Sequence, residues 1–199
     1  MGITPWVVRH PTSPVECSEL AKLEHDVAQC TRCPLHQTRS QTVFARGHAT
    51  AKLMIIGEAP GFHEDKQGLP FVGAAGGLLD KMVASIGLEQ DHIYIANVLK
   101  CRPPNNRDPE IEEIAQCGSY LAQQIMLIQP TLIIALGRFA GQYILNSTDS
   151  LSKLRARSHE YQGIKVIVSY HPAYLLRNPA DKKKAYQDWM DVKKTILSK

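Results

Sequence analysis

The sequence predicts an α/β fold in which helices cover both faces of a mostly parallel sheet. From about residue 50 onward, short apolar runs typical of strands buried on both faces alternate with stretches of helical periodicity. Strands separated by helices form βαβ units with right-handed crossovers. The composition of the 199 residues, 44% hydrophobic and 21% charged, suits a globular domain and excludes collagen-like, disordered and coiled-coil proteins.

The N-terminal part of the chain predicts one helix ahead of the first strand. Residues 13–16 form a capping box, with Pro14 at the first helical position. Leu20, Leu23 and Val27 then mark one apolar face, and the helix runs toward residue 30. We expect this helix to lie against the rest of the domain through that face.

The middle of the chain predicts two strands with a helix between them. Residues 53–56 are a continuous apolar run that ends at Gly57, which indicates a strand buried on both faces. The apolar spacing over residues 78–86 predicts a helix, and Gly87 supplies its C-cap. Residues 92–97 predict the second strand, so the glycine-rich segment before the helix is expected to be a long loop.

The C-terminal half continues the alternation of helices and strands. Asp108 and the acidic residues after it predict a helix start that suits the positive end of the helix dipole, and this helix runs to about Gln129. Residues 131–136 and 164–168 predict the third and fourth strands. A last helix is expected over residues 181–197.

Polar side chains follow three of the predicted strands. Glu58, Asn97 and His171 each stand where a strand ends, and ligands of parallel sheets bind beyond the carboxyl ends of the strands. Taken singly, these residues have ordinary alternatives: a solvated acid, a turn former and a structural histidine. Phe71, in the first loop, is by itself more typical of a core than of a stacking surface. Neither a P-loop nor a G-x-G-x-x-G pattern is present, so a nucleotide phosphate site is not indicated.

The five cysteines predict a metal site with one thiol left over. Cys30 and Cys33 form a C-x2-C pair in a predicted loop, Cys101 and Cys117 follow at a distance, and Cys17 stands outside this set. Structural zinc and an iron–sulfur cluster both accept four thiolates, and the spacing does not choose between them. The alternative is a set of separate buried thiols, which is the common fate of free cysteine.

The charge and the hydropathy of the chain restrict its partners only mildly. The formal net charge of +4 is compatible with an anionic partner such as nucleic acid. No apolar run reaches the roughly 18 residues that a membrane span needs, so no membrane partner is expected. The N-terminus MGITPWVVRHP lacks the features of a signal peptide, and we expect a reducing cytoplasm as the compartment.

Three long motifs resemble a known family. GEAPGFHEDKQGLPFVGAAGGLLDKM, IANVLKCRPPNNRDP and SYHPAYLLRNP, together with four cysteines in the same order, are similar to family 4 of the uracil-DNA glycosylases, the iron–sulfur family, over residues 30–189. The resemblance implies a three-layer α/β/α fold with a four-stranded, mostly parallel sheet. Residues 30–199 would be the glycosylase domain, and residues 1–29 an N-terminal extension and helix packed on it.

The resemblance also implies an activity. The protein would be an enzyme that flips uracil out of DNA, hydrolyses its N-glycosidic bond and so initiates base excision repair, acting on uracil-containing DNA as a monomer. A [4Fe-4S] cluster would serve a structural role, held by Cys30, Cys33, Cys101 and Cys117. The alternatives are a non-catalytic iron–sulfur nucleic-acid-binding protein on the same fold and an electron-transfer protein.

Roles for the other residues follow from the same resemblance. Phe71 would stack on the flipped uracil, Asn97 would read its O4 and N3 edge, and His171 would donate toward O2. The wider superfamily often has a water-orienting Asp where this chain has Ala59, so either Glu58 or a water held by the backbone would serve here. The chemistry of glycosidic hydrolysis also suits Glu58 to stabilise a cationic sugar. The remaining implied contacts are Gly57 and Ala59 beside the substrate, Glu64 crowding the thymine methyl position, and Leu175 wedging into the duplex.

Several basic residues are candidates for phosphate contacts. Arg177 is favoured because it directly follows the HPAYLL segment. The other candidates are Arg102, Arg107, Arg155, Arg157 and residues 182–184, for which a solvated surface is the ordinary alternative.

Overall fold

The computed structural model describes residues 14–197 and contains one mixed sheet of six strands in that range. The strand order is β1-β3-β2-β4-β6-β5, and the four central strands are mutually parallel. These four are the strands predicted from the sequence, so the α/β class is confirmed. The strands are β1 Arg46–Gly47, β2 Leu53–Gly57, β3 Ile93–Asn97, β4 Leu132–Leu136, β5 His159–Tyr161 and β6 Ile164–Ser169.

Two short edge strands were not predicted from the sequence. β1 pairs antiparallel with β3, and β5 pairs antiparallel with β6. β5 and β6 are joined by Gln162 and Gly163, both with positive φ (50° and 81°), as in the type I′ turn that matches strand twist. Strands of two and three residues are too short to show a period in the sequence. The sheet therefore has six strands where four were predicted.

Helices flank the sheet and join its strands. They are α1 Pro14–Ala28, α2 Phe62–Gln67, α3 Ala74–Ser85, α4 Ile111–Ile128, α5 Arg138–Leu145, α6 Leu151–Arg155, α7 Pro172–Arg177 and α8 Lys182–Leu197.

The start of α4 and the presence of α2 differ from expectation. α4 begins three residues later than predicted, where the backbone N–H of Glu110 donates to the Glu113 carboxylate (2.9 Å). α2 lies within the segment expected to be a loop. The proposed cap at Ser13 lies outside the described residues.

Alternate residues of the central strands face opposite sides of the sheet, so the molecule has three layers. One face packs on α4, α5 and α6, and the other packs on α3 and α8. Trp189 and Val192 of α8 are fully buried against the second face. Burying each such large apolar side chain stabilises the fold by about 1.5–3 kcal/mol. No helix within residues 14–197 is long and apolar enough to cross a membrane.

A third apolar cluster joins α1 to α4 and to the segment after β3. Leu23 and Val27 of α1 pack with Leu99 and Tyr120, and this cluster also contains the buried Cys101 and Cys117. The predicted apolar face of α1 is therefore confirmed. Its packing brings the loop that follows α1 to the chain segments that carry the other thiols.

Candidate active site and cysteine cluster

The carboxyl edge of the sheet carries the strand-end residues singled out in the sequence. Gly57 ends β2 and is paired in register with Asn97, which ends β3. His171 lies just beyond β6 and caps α7. The pairing continues past the strand ends, since the N–H groups of Val98 and Leu99 donate to the carbonyls of Gly57 and Glu58 (both 3.0 Å). The backbone after β2 is thereby fixed beside that after β3.

Gly57 lies directly against the side chains of Asn97 and Phe71, and we call the place where these residues meet His171 the slot. A Cβ atom built on Gly57 would collide with the Oδ1 atom of Asn97 and with the ring of Phe71, so only glycine fits there. Phe71 has a positive φ of 56° and packs on the core on one side. Its ring centroid lies 5.5 Å from that of His171, with the two planes tilted by 30°. The side chains of Asn97, Phe71 and His171 therefore lie close together beside the backbone of Gly57.

Asn97 contributes a buried polar atom without a partner to this slot. Its side chain is only 2% exposed, and its Oδ1 atom is buried without a hydrogen-bond partner among the described residues. Native proteins pair nearly all buried polar atoms, and each unpaired one costs about 1–3 kcal/mol. The buried acceptor indicates a place where a ligand donates a hydrogen bond.

His171 is held as a neutral ring of defined tautomer. Its Nδ1 atom accepts a hydrogen bond from the backbone N–H of Ala173 (3.1 Å). The ring proton is therefore on Nε2, which leaves that atom as a donor. The pKa of His171 is lowered to about 4, mainly by burial and in part by Arg177, while Glu64 acts in the opposite direction. At neutral pH the ring can donate a hydrogen bond without carrying a charge.

Glu58 is a half-buried carboxylate with a raised pKa. Burial raises the pKa of Glu58 to about 7, Asp108 adds to the shift, and Arg138 acts against it. Asp108 and Arg138 themselves form an exposed pair at 3.8 Å. A carboxylate that titrates near neutral pH can accept a proton from water, which is the property of a general base.

Glu64 supports the segment that carries Phe71. Its Oε1 atom accepts hydrogen bonds from the backbone N–H groups of Val72 (3.1 Å) and Gly73 (3.2 Å). These two bonds fix the backbone directly after Phe71 and hold the ring in place. The implied crowding of a thymine methyl by Glu64 stays a prediction.

Leu175 is not available as a wedge. Its side chain is 1% exposed and packs with Tyr170 and Ala185, so it could enter a duplex only if α7 were displaced. The next residue, Leu176, is 43% exposed. The burial of Leu175 contradicts its expected role as a wedge.

Two of the candidate phosphate-binding arginines are occupied inside the protein. Arg107 makes a two-pronged ion pair with Glu113, and Arg155 makes one with Asp188. Arg177 is exposed, and its guanidinium forms no ion pair or hydrogen bond within residues 14–197. The structure thus leaves Arg177 able to contact an external anion.

The four expected thiols line one cavity. Cys30 and Cys33 come from the loop between α1 and the next short helix, Cys101 follows β3, and Cys117 lies in α4. All four are free thiols, the first two half-buried and the last two buried. The other polar or charged residues around the cavity are Arg32, His36, Arg39, Lys100, Gln116 and Tyr120.

Hydrogen-bond donors and cations lie next to these sulfur atoms. Arg39 donates to the Sγ atom of Cys101 (3.1 Å), and the backbone N–H of Lys100 donates to that of Cys117 (3.2 Å). Burial raises the pKa of Cys101 to about 11, against the influence of Arg39, so a metal centre that binds there must displace the thiol proton. Four sulfur donors surrounded by cations and N–H groups fit an anionic thiolate-bound centre.

The four sulfur donors by themselves do not identify the kind of centre. Within residues 14–197, no three His, Cys, Asp or Glu side chains are grouped as a site for a metal ion. Structural zinc and an iron–sulfur cluster both accept four sulfur ligands, so the donor set fits either centre.

Lys100 is a buried residue that the sequence analysis missed. It is 1% exposed, and its Nζ atom donates to the carbonyl of Asn97 (2.7 Å) and to Oε1 of Gln124 (2.5 Å). Gln124 in turn donates to the hydroxyl of Tyr94 (3.0 Å). Burial lowers the pKa of Lys100 to about 8, against the influence of the neighbouring thiols. The sequence signal that could have revealed this buried residue is the lysine within the apolar run IANVLKC.

The fold and the slot at its sheet edge define a class of protein. The family model described as the uracil DNA glycosylase superfamily matches residues 44–190, and the chain belongs to this superfamily. Its similarity to curated relatives then places it among the type-4 uracil-DNA glycosylases.

Three of these relatives show how far the similarity extends. The type-4 uracil-DNA glycosylase of Archaeoglobus fulgidus is 46% identical over 168 residues, which cover 80% of this chain and 84% of the relative. That of Sulfurisphaera tokodaii is 43% identical over 188 residues, with 90% and 86% covered. That of Thermotoga maritima is 45% identical over 154 residues, with 76% and 80% covered.

Proposed function

We propose that this protein is a DNA glycosylase that hydrolyses the N-glycosidic bond between uracil and deoxyribose, and so begins base excision repair. The observation that carries the proposal is the Oδ1 atom of Asn97, which is buried close to Phe71 and has no hydrogen-bond partner within residues 14–197. A planar ring that donates one hydrogen bond at its edge satisfies this atom, and the N3–H group of uracil is such a donor.

The base must leave the duplex before it can reach the slot. Flipping a base out costs a few kcal/mol because stacking and pairing are lost. Stacking on Phe71 returns about 1–3 kcal/mol. We propose that Leu176 fills the gap left in the duplex and that Arg177 contacts a flanking phosphate. Both side chains are exposed at the C-terminal end of α7, the helix that His171 caps.

Asn97 discriminates between uracil and cytosine by the direction of its hydrogen bonds. Its Oδ1 atom accepts from N3–H of uracil while its amide N–H donates to O4. Cytosine has an acceptor at N3 and an amine at C4, so both contacts would be reversed. Such a bidentate contact discriminates by about 1–3 kcal/mol. Gly57 and Ala59 would line the slot with backbone, and Glu64 would exclude a substituent at C5.

Bond cleavage separates charge, and the site stabilises both parts. The C1′–N1 bond breaks with its electron pair remaining on uracil, and Nε2–H of neutral His171 donates to the developing charge on O2. The sugar becomes cationic, and the Glu58 carboxylate stabilises it. Water then forms the new C1′–O bond as its proton passes to Glu58. The fixed tautomer and depressed pKa of His171 support this assignment.

We further propose that Cys30, Cys33, Cys101 and Cys117 hold a [4Fe-4S] cluster with a structural role. When bound, the group supplies covalent links between the loop after α1, the segment after β3 and α4. The thiols remain available for this purpose in a reducing cytoplasm, where we expect the protein to act as a monomer.

A direct test uses a duplex oligonucleotide with a single uracil, incubated with the purified brown protein and then treated with alkali. Excision leaves an abasic site, and alkali converts it into a strand break. A matched duplex with cytosine should stay intact. Intact uracil strands with cluster-loaded protein would overturn the proposal and favour the non-catalytic alternative.

Asn97→Asp should weaken the excision of uracil by about 10–100-fold, since a carboxylate cannot donate to O4 while it can accept from the amine of cytosine. Single-turnover rates on uracil and cytosine duplexes measure the change, and the ratio of the two rates should fall. Asn146→Asp, at an exposed position after α5, is the matched control. Unchanged uracil excision by Asn97→Asp would remove Asn97 from the pocket.

Arg177→Ala should weaken DNA binding uniformly across sequences and reduce the salt dependence of log K by about 1. Binding is measured at several salt concentrations with a uracil-free duplex. Arg157→Ala is the control, because Arg157 is already paired with Asp149. An unchanged salt slope for Arg177→Ala would show that this residue touches no phosphate.

A further inference from the structure

Lys100 stands between the cysteine cavity and the uracil slot and contacts both. Its backbone N–H donates to Cys117, and its side chain turns back to the carbonyl of Asn97. The Lys100 carbonyl accepts from the N–H of Val43 (2.8 Å), so its backbone is fixed as well. One buried residue therefore links a thiol of one site to the specificity residue of the other.

The side chain of Lys100 has acceptors but no counter-ion within residues 14–197. Its Nζ atom is bonded to two neutral oxygens, those of Asn97 and Gln124, and no carboxylate pairs with it among the described residues. A buried ammonium is strongly unfavourable unless an opposite charge compensates it. Arg32 and Arg39, the other cations at the cavity, are partly accessible to solvent and bond elsewhere as well. Of the three cations at the cavity, Lys100 is therefore the one whose charge most requires a negative charge nearby.

The negative charge that compensates Lys100 is available on the cysteine side. Lys100 lines the same cavity as the four thiols, and binding of iron requires them to lose their protons. Four thiolates with their cluster carry net negative charge next to this buried cation. The acceptors of its Nζ atom lie on β3 and α4, which flank the slot and the cavity.

We propose that Lys100 is a positioning residue that couples the cysteine site to the uracil pocket: the bound cluster supplies its counter-charge, and the charged side chain fixes the carbonyl of Asn97. The inference rests on the proposed function, because it assumes both the cluster and uracil as the ligand. Held by Lys100, the peptide after Asn97 keeps one orientation, and the amide of Asn97 is aimed into the slot. The bonds from Gln124 to Tyr94 and to the carbonyl of Phe44 brace the arrangement from behind.

Two properties of the loaded protein test this coupling. Lys100→Met keeps the length of the side chain but removes its charge and its donors. We expect the affinity for free uracil, measured by calorimetry, to fall about tenfold, because a charge-assisted hydrogen bond that fixes Asn97 is lost. We also expect the reduction potential of the cluster to become more negative, because a buried positive charge beside it is removed. Lys165→Met, which alters an exposed lysine bonded to Thr195, should change neither property.

A second variant keeps the test decisive if Lys100→Met fails to fold. Gln124→Glu places a carboxylate on the Nζ atom, which neutralises Lys100 and draws it from the carbonyl of Asn97. It should also weaken uracil binding and lower the potential. A variant that changes only one property, or neither, would overturn the coupling. Loss of uracil excision or of the brown colour in the unmodified protein would instead overturn the proposed function.

Discussion

Replacing Glu58 by glutamine is expected to lower kcat for uracil excision by about 10²–10⁴-fold, the contribution typical of a general base. Glutamine has the same shape but cannot take the proton of the attacking water, and it places no negative charge near the cationic sugar. KM should change little, because the proposed role of Glu58, which follows β2, concerns the sugar and the water and not the base. Single-turnover rates on a uracil duplex measure the effect, with Glu112→Gln on the exposed face of α4 as control.

The pH profile separates a catalytic Glu58 from a structural one. Because burial raises the pKa of Glu58 to about 7, kcat should fall about tenfold per pH unit below 7 and level off above it. Glu58→Gln should lose this ascending limb. Asp108→Asn should move the limb to lower pH and Arg138→Gln to higher pH, following their opposite effects on the carboxyl. A limb that persists in Glu58→Gln would assign the titration to another group.

Cys101→Ala is expected to remove the brown absorbance and most of the stability of the fold. Cys101 is buried at the junction of β3 with the cysteine cavity, and its loss releases the segment that also carries Lys100 and Asn97. Since a domain has a net stability of only about 5–15 kcal/mol, the thermal midpoint should fall by at least about 10 °C. Iron content, visible absorbance and thermal unfolding measure the change.

Cys17→Ala is the control for Cys101→Ala. It should keep the full iron content and colour, because Cys17 is the cysteine outside the proposed ligand set. A colourless unmodified protein that contains zinc would overturn the cluster assignment. Cys101→Ala protein that retains its full iron content would remove Cys101 from the ligand set.

The sequence predicted the central architecture because its local patterns are strong. The apolar runs of β2, β3 and β4 are buried on both faces, and such strands carry a continuous signal that needs no knowledge of their neighbours. β6 is only partly buried, but its alternating apolar residues were enough to predict it. The edge strands β1 and β5 carry no such signal, because pairing with a partner strand is what defines them. The short helix α2 was hidden within a glycine-rich, polar segment.

The candidate site could be located from the sequence but not described from it. The rule that ligands bind beyond the carboxyl ends of parallel strands was enough to bring Glu58, Asn97 and His171 to one edge. It gave no indication that Oδ1 of Asn97 has no partner or that Ala173 sets the tautomer of His171. Both properties depend on which backbone atoms lie within hydrogen-bond reach.

The sequence by itself determined the fold class, the strand-end residues and the set of four cysteines, because these follow from order and spacing along the chain. The tertiary structure decided which of two adjacent leucines is exposed, and it buried Leu175 while leaving Leu176 accessible. It also made Lys100 a link between two sites. Burial, hydrogen-bond partners and shifted pKa values arise from contacts between residues distant in sequence, and no local pattern contains them.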